Sequence, residues 1–204
     1  MNEAIIRGSA VLSGLVLFGI GVALMFLADL GVGSWDVLHD ALAGLLDRRP
    51  GTVIVGLGVF LLGVVVLARQ PIGPGTAVNV LIIGSTVNLV LAVLEPPGAL
   101  GVRLVLMVAG PLLVAFGSML YIGAGIGIGV RDGIMTALAD AGLSLRTART
   151  LLEVTVLVLG GLLGGSWGIG TLVFALLVGP ALQFFRDHVW GGLPEPPGVV
   201  YRRS

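Results

Sequence analysis

Six runs of apolar residues, near 8–29, 51–68, 76–94, 102–124, 148–165 and 170–186, alternate along this chain with short polar breaks. Each approaches the ~20 residues that a helix needs to cross a hydrocarbon core of ~30 Å, so the pattern predicts six spanning helices. Between the third and fourth runs, Glu95-Pro96-Pro97-Gly98 stops the helix and divides the chain into two halves of three runs. Each half also holds a shorter segment between its first and second runs, at 34–46 and 130–142. In the first, Trp35, Leu38, Leu42 and Leu45 follow helical spacing, with Asp36, His39, Asp40 and Asp47 on the other side. In the second, Ile134, Met135 and Leu138 oppose Asp132, Thr136 and Asp140. Roughly 13 residues of helix reach only about 20 Å. These segments read as half-helices that dip into the membrane or lie along its surface.

The two halves repeat one another. Gly31-Val32-Gly33-Ser34-Trp35-Asp36, running on to Ala41-Leu42-Ala43, returns 96 positions later as Gly127-Ile128-Gly129-Val130-Arg131-Asp132, running on to Ala137-Leu138-Ala139. Gly73-Pro74-Gly75-Thr76 with Gly84 returns 95 positions on as Gly168-Ile169-Gly170-Thr171 with Gly179. Three spans is an odd number, so the second copy enters the membrane from the opposite face. The expected fold is therefore all-α and polytopic, six transmembrane helices plus two half-helices in a 3+3 inverted repeat. Its parts are a first repeat over 1–96, a second over 97–188 and a flexible tail over 189–204. With the N-terminus cytoplasmic, Arg48, Arg49 and Arg103 are external and the other eight arginines internal, in keeping with the positive-inside rule. The competing arrangement lets the short segments span as well, giving a 4+4 parallel repeat. It satisfies the same rule, leaving only Arg69 and Arg131 outside. Inversion is preferred because the segments are short and each carries two or three carboxylates.

Composition narrows the chemistry. The 204 residues are 56% hydrophobic and 11% charged, with a mean hydropathy of +1.10, which points to a bilayer rather than to water. The run after Arg7 is too long for a signal peptide and reads as a retained first helix. Net charge is zero, so no field recruits nucleic acid. Cysteine is absent, which excludes disulfides, thiolate nucleophiles and Cys-based metal sites. No Ser/His/Asp arrangement, HExxH or phosphate-binding GxxxxGK[ST] motif is present. The expectation is a protein that is not an enzyme and carries no metal or cofactor. Glycine, at 34 residues, permits close helix contacts; Gly160, Gly161, Gly164 and Gly165 form two overlapping GxxxG pairs. A contact within the monomer is the plainer use of these faces, and a homo-oligomer seam the alternative.

Candidate site residues cluster at the repeated motifs. Gly31 and Gly33, like Gly127 and Gly129, allow a turn that presents free N–H groups just ahead of a helix. Asp36 and Asp132, in the first turns that follow, are candidates for binding a proton, a cation or a substrate; capping the helix is their plainer role. Arg131 stands where the first copy has Trp35, and either meets an anion or anchors the interface. The turns at Gly75-Thr76 and Gly170-Thr171 place further amides at helix entrances, for an anion or simply for a cap. Asn88 and Gln183, equivalent under the 95-residue offset, either line a cavity or bond between helices. Arg149 and Glu153, spaced i,i+4, read as a neutral pair. His39 stands as a lone histidine on a polar face without a catalytic role.

Taken together, Gly33 to His39, Pro71 to Thr76, Arg131 to Met135, Arg146 to Glu153 and Gly168 to Ala175 resemble the YczE branch of the YczE/YyaS/YitT family of bacterial integral membrane proteins. The resemblance runs from about Gly8 to Gln183. It implies a multi-pass protein of the bacterial inner membrane and supplies no substrate or functional residues. The residues themselves favour a small secondary transporter or permease for an unknown small molecule or ion, with a polar site at the repeat interface. A non-transporting scaffold or accessory subunit is the alternative. A channel is disfavoured, since no ring of like charges or filter motif appears.

Overall fold

The computed structural model describes residues 3–70, 73–125 and 129–189. Within them the chain is all-helical: α1 (Glu3–Ala28), α2 (Ser34–Leu46), α3 (Pro50–Leu67), α4 (Pro74–Val93), α5 (Leu100–Gly123), α6 (Val130–Asp140), α7 (Leu145–Leu162) and α8 (Ile169–His188). The two short segments form α2 and α6, at the expected places. Gly127 and, apart from Val189, the expected tail lie outside the described residues.

Five helices, α1, α3, α4, α5 and α8, are long and apolar enough to cross a membrane. Helix α7 matches α3 at 18 residues but carries Arg146, Arg149 and Glu153, a charge load that sets it apart from those five. Much of the apolar surface points outward: Leu67, Leu162 and Leu176 are 84%, 80% and 76% exposed. Surfaces of this kind are stable only against lipid, and each helix satisfies its own backbone there.

The centre of the molecule is the crossing of α1 and α5. Gly14 lies against Gly117, and Gly21 against Gly110, so the two helices run antiparallel. A Cβ on Gly21 would come within 2.6 Å of the Gly110 carbonyl oxygen, which is why only glycine fits. At one end of the crossing, Arg103 in the first turn of α5 binds the last carbonyls of α1, donating to Ala28 O at 2.7 Å and pairing with Asp29 at 2.9 Å. Buried Leu15, Val22, Val87 and Val114 fill the core around this axis. Helix α4 packs on α1 and α3, and α8 on α5, while α2 and α6 each lie against both α3 and α7.

Asn88 serves the α3/α4 contact. Its amide donates to Thr52 Oγ1 at 2.9 Å while its own Oδ1 is buried without a partner, and Gly51 makes room for it. A Thr52→Val chain is expected to lose about 1 kcal/mol, because the Asn88 amide then lacks its acceptor. Thermal unfolding in detergent, compared with the parent, measures it.

Candidate functional site

Helices α2 and α6 begin alike. Their N-cap residues, Gly33 and Gly129, are both extended, with φ −61° in each, and the third helical residue is Asp36 or Asp132. Each carboxylate folds back over its own helix start, Oδ2 lying 3.0 Å from where a Cβ on Gly33 or Gly129 would stand. Asp132 accepts the Gly129 N–H. The Asp132 carboxylate thus caps its own helix start, and the Asp36 carboxylate lies over the start of α2.

The other oxygen of Asp36 carries further contacts. Asp36 Oδ1 is 3.0 Å from His39 Nδ1, and both residues are only 3% exposed. Arg131 reaches across from α6, its guanidinium 3.9 Å from the same oxygen and stacked over the Trp35 ring at 4.8 Å. Arg131 thus points inward to α2. Asp132, beside it, lies in the field of Arg149, Arg131 and Glu153. Glu153 accepts a hydrogen bond from Ser34 in the first turn of α2. The expected Arg149–Glu153 pair is not among the ion pairs of the described residues; the close approach of α7 to α2 gives Glu153 a different partner.

That approach depends on glycine. A Cβ on Gly160 would come within 2.5 Å of the Leu38 nitrogen, and Gly165 sits against the Val37 carbonyl. Two members of the GxxxG pairs are thereby used inside the monomer, while Gly161 faces Trp167 and Gly164 faces open space at φ +89°.

The two glycine turns also interlock. Gly170 N–H donates to Leu30 O at 2.7 Å, and Val32 N–H to Ser166 O at 3.2 Å, so the turn before α2 is bonded to the turn before α8. Gly31, at φ +105°, rests on Gly168. The Ser166 N–H donates to Asp40 on α2 at 2.8 Å, and Gln70 donates to Asp140 on α6 at 2.7 Å. At the α4 and α8 entrances, Thr76 and Thr171 accept the N–H of Gly73 and Gly168. The amides that made an anion site conceivable at Gly170-Thr171 are bonded to the protein's own oxygens, and Gly75-Thr76 opens α4 with the same threonine cap. These turns hold helices together.

The structure thus brings Asp36, Asp132 and Arg131 to one place and leaves Asn88 and Gln183 outside it, Asn88 between α3 and α4 and Gln183 exposed on α8. It adds His39, Trp35, Ser34, Arg149 and Glu153. Of these, His39 had a readable signal, since Asp36 and His39 at i,i+3 share a helix face. The contact of Ser34 with Glu153 spans 119 positions and leaves none.

The described residues are all helical, with five helices long and apolar enough to cross a membrane and large apolar faces turned outward, and the protein is a membrane protein. A family model described as a family of unknown function (DUF6198) matches residues 5–187, and the chain belongs to that family. A Haemophilus influenzae protein named only as uncharacterized is 36% identical over 195 residues, covering 93% of this chain and 87% of its own length. An uncharacterized membrane protein of Bacillus subtilis, YczE, is 26% identical over 186 residues, 90% of this chain and 86% of its own. The YczE-like resemblance read from the motifs is thereby met. No solved structure matches.

Proposed function

We propose that this protein is a small secondary transporter of the bacterial inner membrane, with its N-terminus cytoplasmic. It is built from two inverted halves, α1–α4 and α5–α8, each with three spans and one half-helix. The reading is carried by one observation: Arg131, from the start of one half-helix, closes on buried Asp36 at the start of the other. Half-helix starts that meet at a polar locus are how transporters bind solutes at membrane depth. Further support comes from the packing. The contacts of α1 with α4, α2 with α3 and α2 with α7 have counterparts in α5 with α8, α6 with α7 and α6 with α3. Gly14 and Gly21 lie against Gly117 and Gly110, their own counterparts at the 96-residue offset in exchanged order. A twofold axis in the membrane plane produces that exchange, whereas parallel copies would align α1 and α5 in one direction. Helix α7 is the sixth span, with Arg149 and Glu153 turned to the site.

Flux in proteoliposomes, read as solute uptake or current over a broad substrate panel, tests the proposal. Asp36→Asn and Asp132→Asn are each expected to lower flux at least about tenfold, the loss of roughly 1.4 kcal/mol of stabilisation. Unchanged flux in both variants removes the carboxylates from the mechanism. Absence of flux together with a stoichiometric co-purifying partner favours the accessory-subunit reading instead.

A further inference from the structure

The contact between Asp36 and His39 is unusual for where it lies. Both side chains are almost wholly buried, they bond to one another at 3.0 Å, and among the described residues the cation near them is Arg131, from the other half of the chain. A histidine bonded to a carboxylate through Nδ1 can hold a second proton on its far nitrogen and lose it again without breaking that bond. Such a group gains or loses one charge while its packing stays fixed.

The surrounding charges make that proton consequential. On α6, Arg131 lies beside the pair and Asp132 is next to Arg131; on α7, Glu153 is taken by Ser34 and Arg149 lies in the field of Asp132. Helix α3, the other neighbour of α2, contributes no ionisable side chain along its whole length. The charges that act directly on His39 are the Asp36 carboxylate, which favours its proton, and the Arg131 guanidinium, which opposes it. Arg131 stands 3.9 Å from Asp36, beyond hydrogen-bonding distance, and its side chain is 36% exposed.

We propose that Asp36 and His39 form the proton-binding site of the carrier, and that Arg131 drives the proton off when the two half-helices close. This deepens the transport reading and rests on it. With Arg131 drawn away from Asp36, the pair takes up a proton as aspartate with imidazolium. With Arg131 drawn in, the guanidinium replaces the imidazolium as counter-ion to Asp36, and the proton leaves His39 to water. The separation of Asp36 and Arg131 is set by how α2 and α6 sit on α3 and α7, so a shift between the halves becomes a change in proton affinity. That is the linkage a proton-coupled carrier needs.

Nitrogen-15 histidine spectra in lipid nanodiscs test this without any substrate. The chain has two histidines, so a His188→Gln background leaves His39 as the one signal. In that background His39 is expected to gain and lose a proton as pH is varied. Arg131→Gln removes a cation and is expected to raise the midpoint by at least about one pH unit, a proton held about tenfold more tightly. Asp36→Asn removes the anion and is expected to lower it by a similar amount, an independent check should Arg131→Gln not fold. A midpoint that neither variant moves, or a His39 that does not titrate, overturns the proposal and leaves the pair as a static brace. The spectra and the flux assay fail separately. An absent titration leaves transport standing, and absent flux leaves the titration standing.

Discussion

A Gly21→Leu chain is expected to lose most of its folded population. Gly21 is where the backbones of α1 and α5 touch, a Cβ there lying 2.6 Å from Gly110 O and 2.8 Å from Val114 N, so neither obstacle is a side chain that can turn aside. The helices must separate, and the buried contacts of Leu15, Val22 and Val114 separate with them. Overfilling a packed interior costs about 1–3 kcal/mol even where side chains adjust, and here backbone must move, so the loss falls at or beyond the upper end. Fluorescence-detected gel filtration after a heating series measures it, with a midpoint expected on the order of 10 °C below the parent or no monodisperse peak at all. Gly63→Leu on the outer face of α3, where a Cβ meets nothing within 4 Å, is the control and should unfold like the parent. Equal behaviour of the two variants would mean that α1 and α5 do not cross at glycine.

The turn that ties α2 to α8 yields the second large effect. Gly31→Ala carries two costs: a left-handed backbone, at φ +105°, that side chains rarely adopt, and a Cβ placed 2.5 Å from the Gly168 nitrogen. The first is worth about 1–2 kcal/mol. Gly142 isolates it, for its φ is +107° and a Cβ there meets open space. Gly142→Ala should show the strain alone, and Gly31→Ala the strain plus the broken interlock. Hydrogen exchange at Val32 and Gly170 is the specific readout. Both amides donate across the interlock, and their protection should fall at least about tenfold in Gly31→Ala and stay unchanged in Gly142→Ala. Unchanged protection in Gly31→Ala would place the two turns apart.

Local chemistry along the chain determines a large share of this protein. The apolar runs, the Glu95-Pro96-Pro97-Gly98 break and the amphipathic periods of 34–46 and 130–142 place the eight helices of the described residues, because backbone polar groups in lipid must be satisfied within the segment unless a closed barrel forms. The capping position of Asp36 and Asp132 is equally local, a first-turn carboxylate following an extended glycine. Tertiary structure decides which of these residues meet. Arg131 is as suited by composition to a head group as to a buried carboxylate, and only the seating of α2 and α6 on α3 and α7 turns it onto Asp36 and Trp35. Glu153 prefers Ser34 to its own neighbour Arg149 because Gly160 and Gly165 let two backbones approach, a distance no periodicity encodes. Asn88 and Gln183, 95 positions apart in the chain, do not meet in space, since α4 packs on α3 through Gly51 and Gly84 while Gly179, 95 positions after Gly84, faces nothing. Helix pattern reports how each residue stands towards lipid, and it is silent on which helix lies beyond. The pairing is settled by the close fit of small residues between helices.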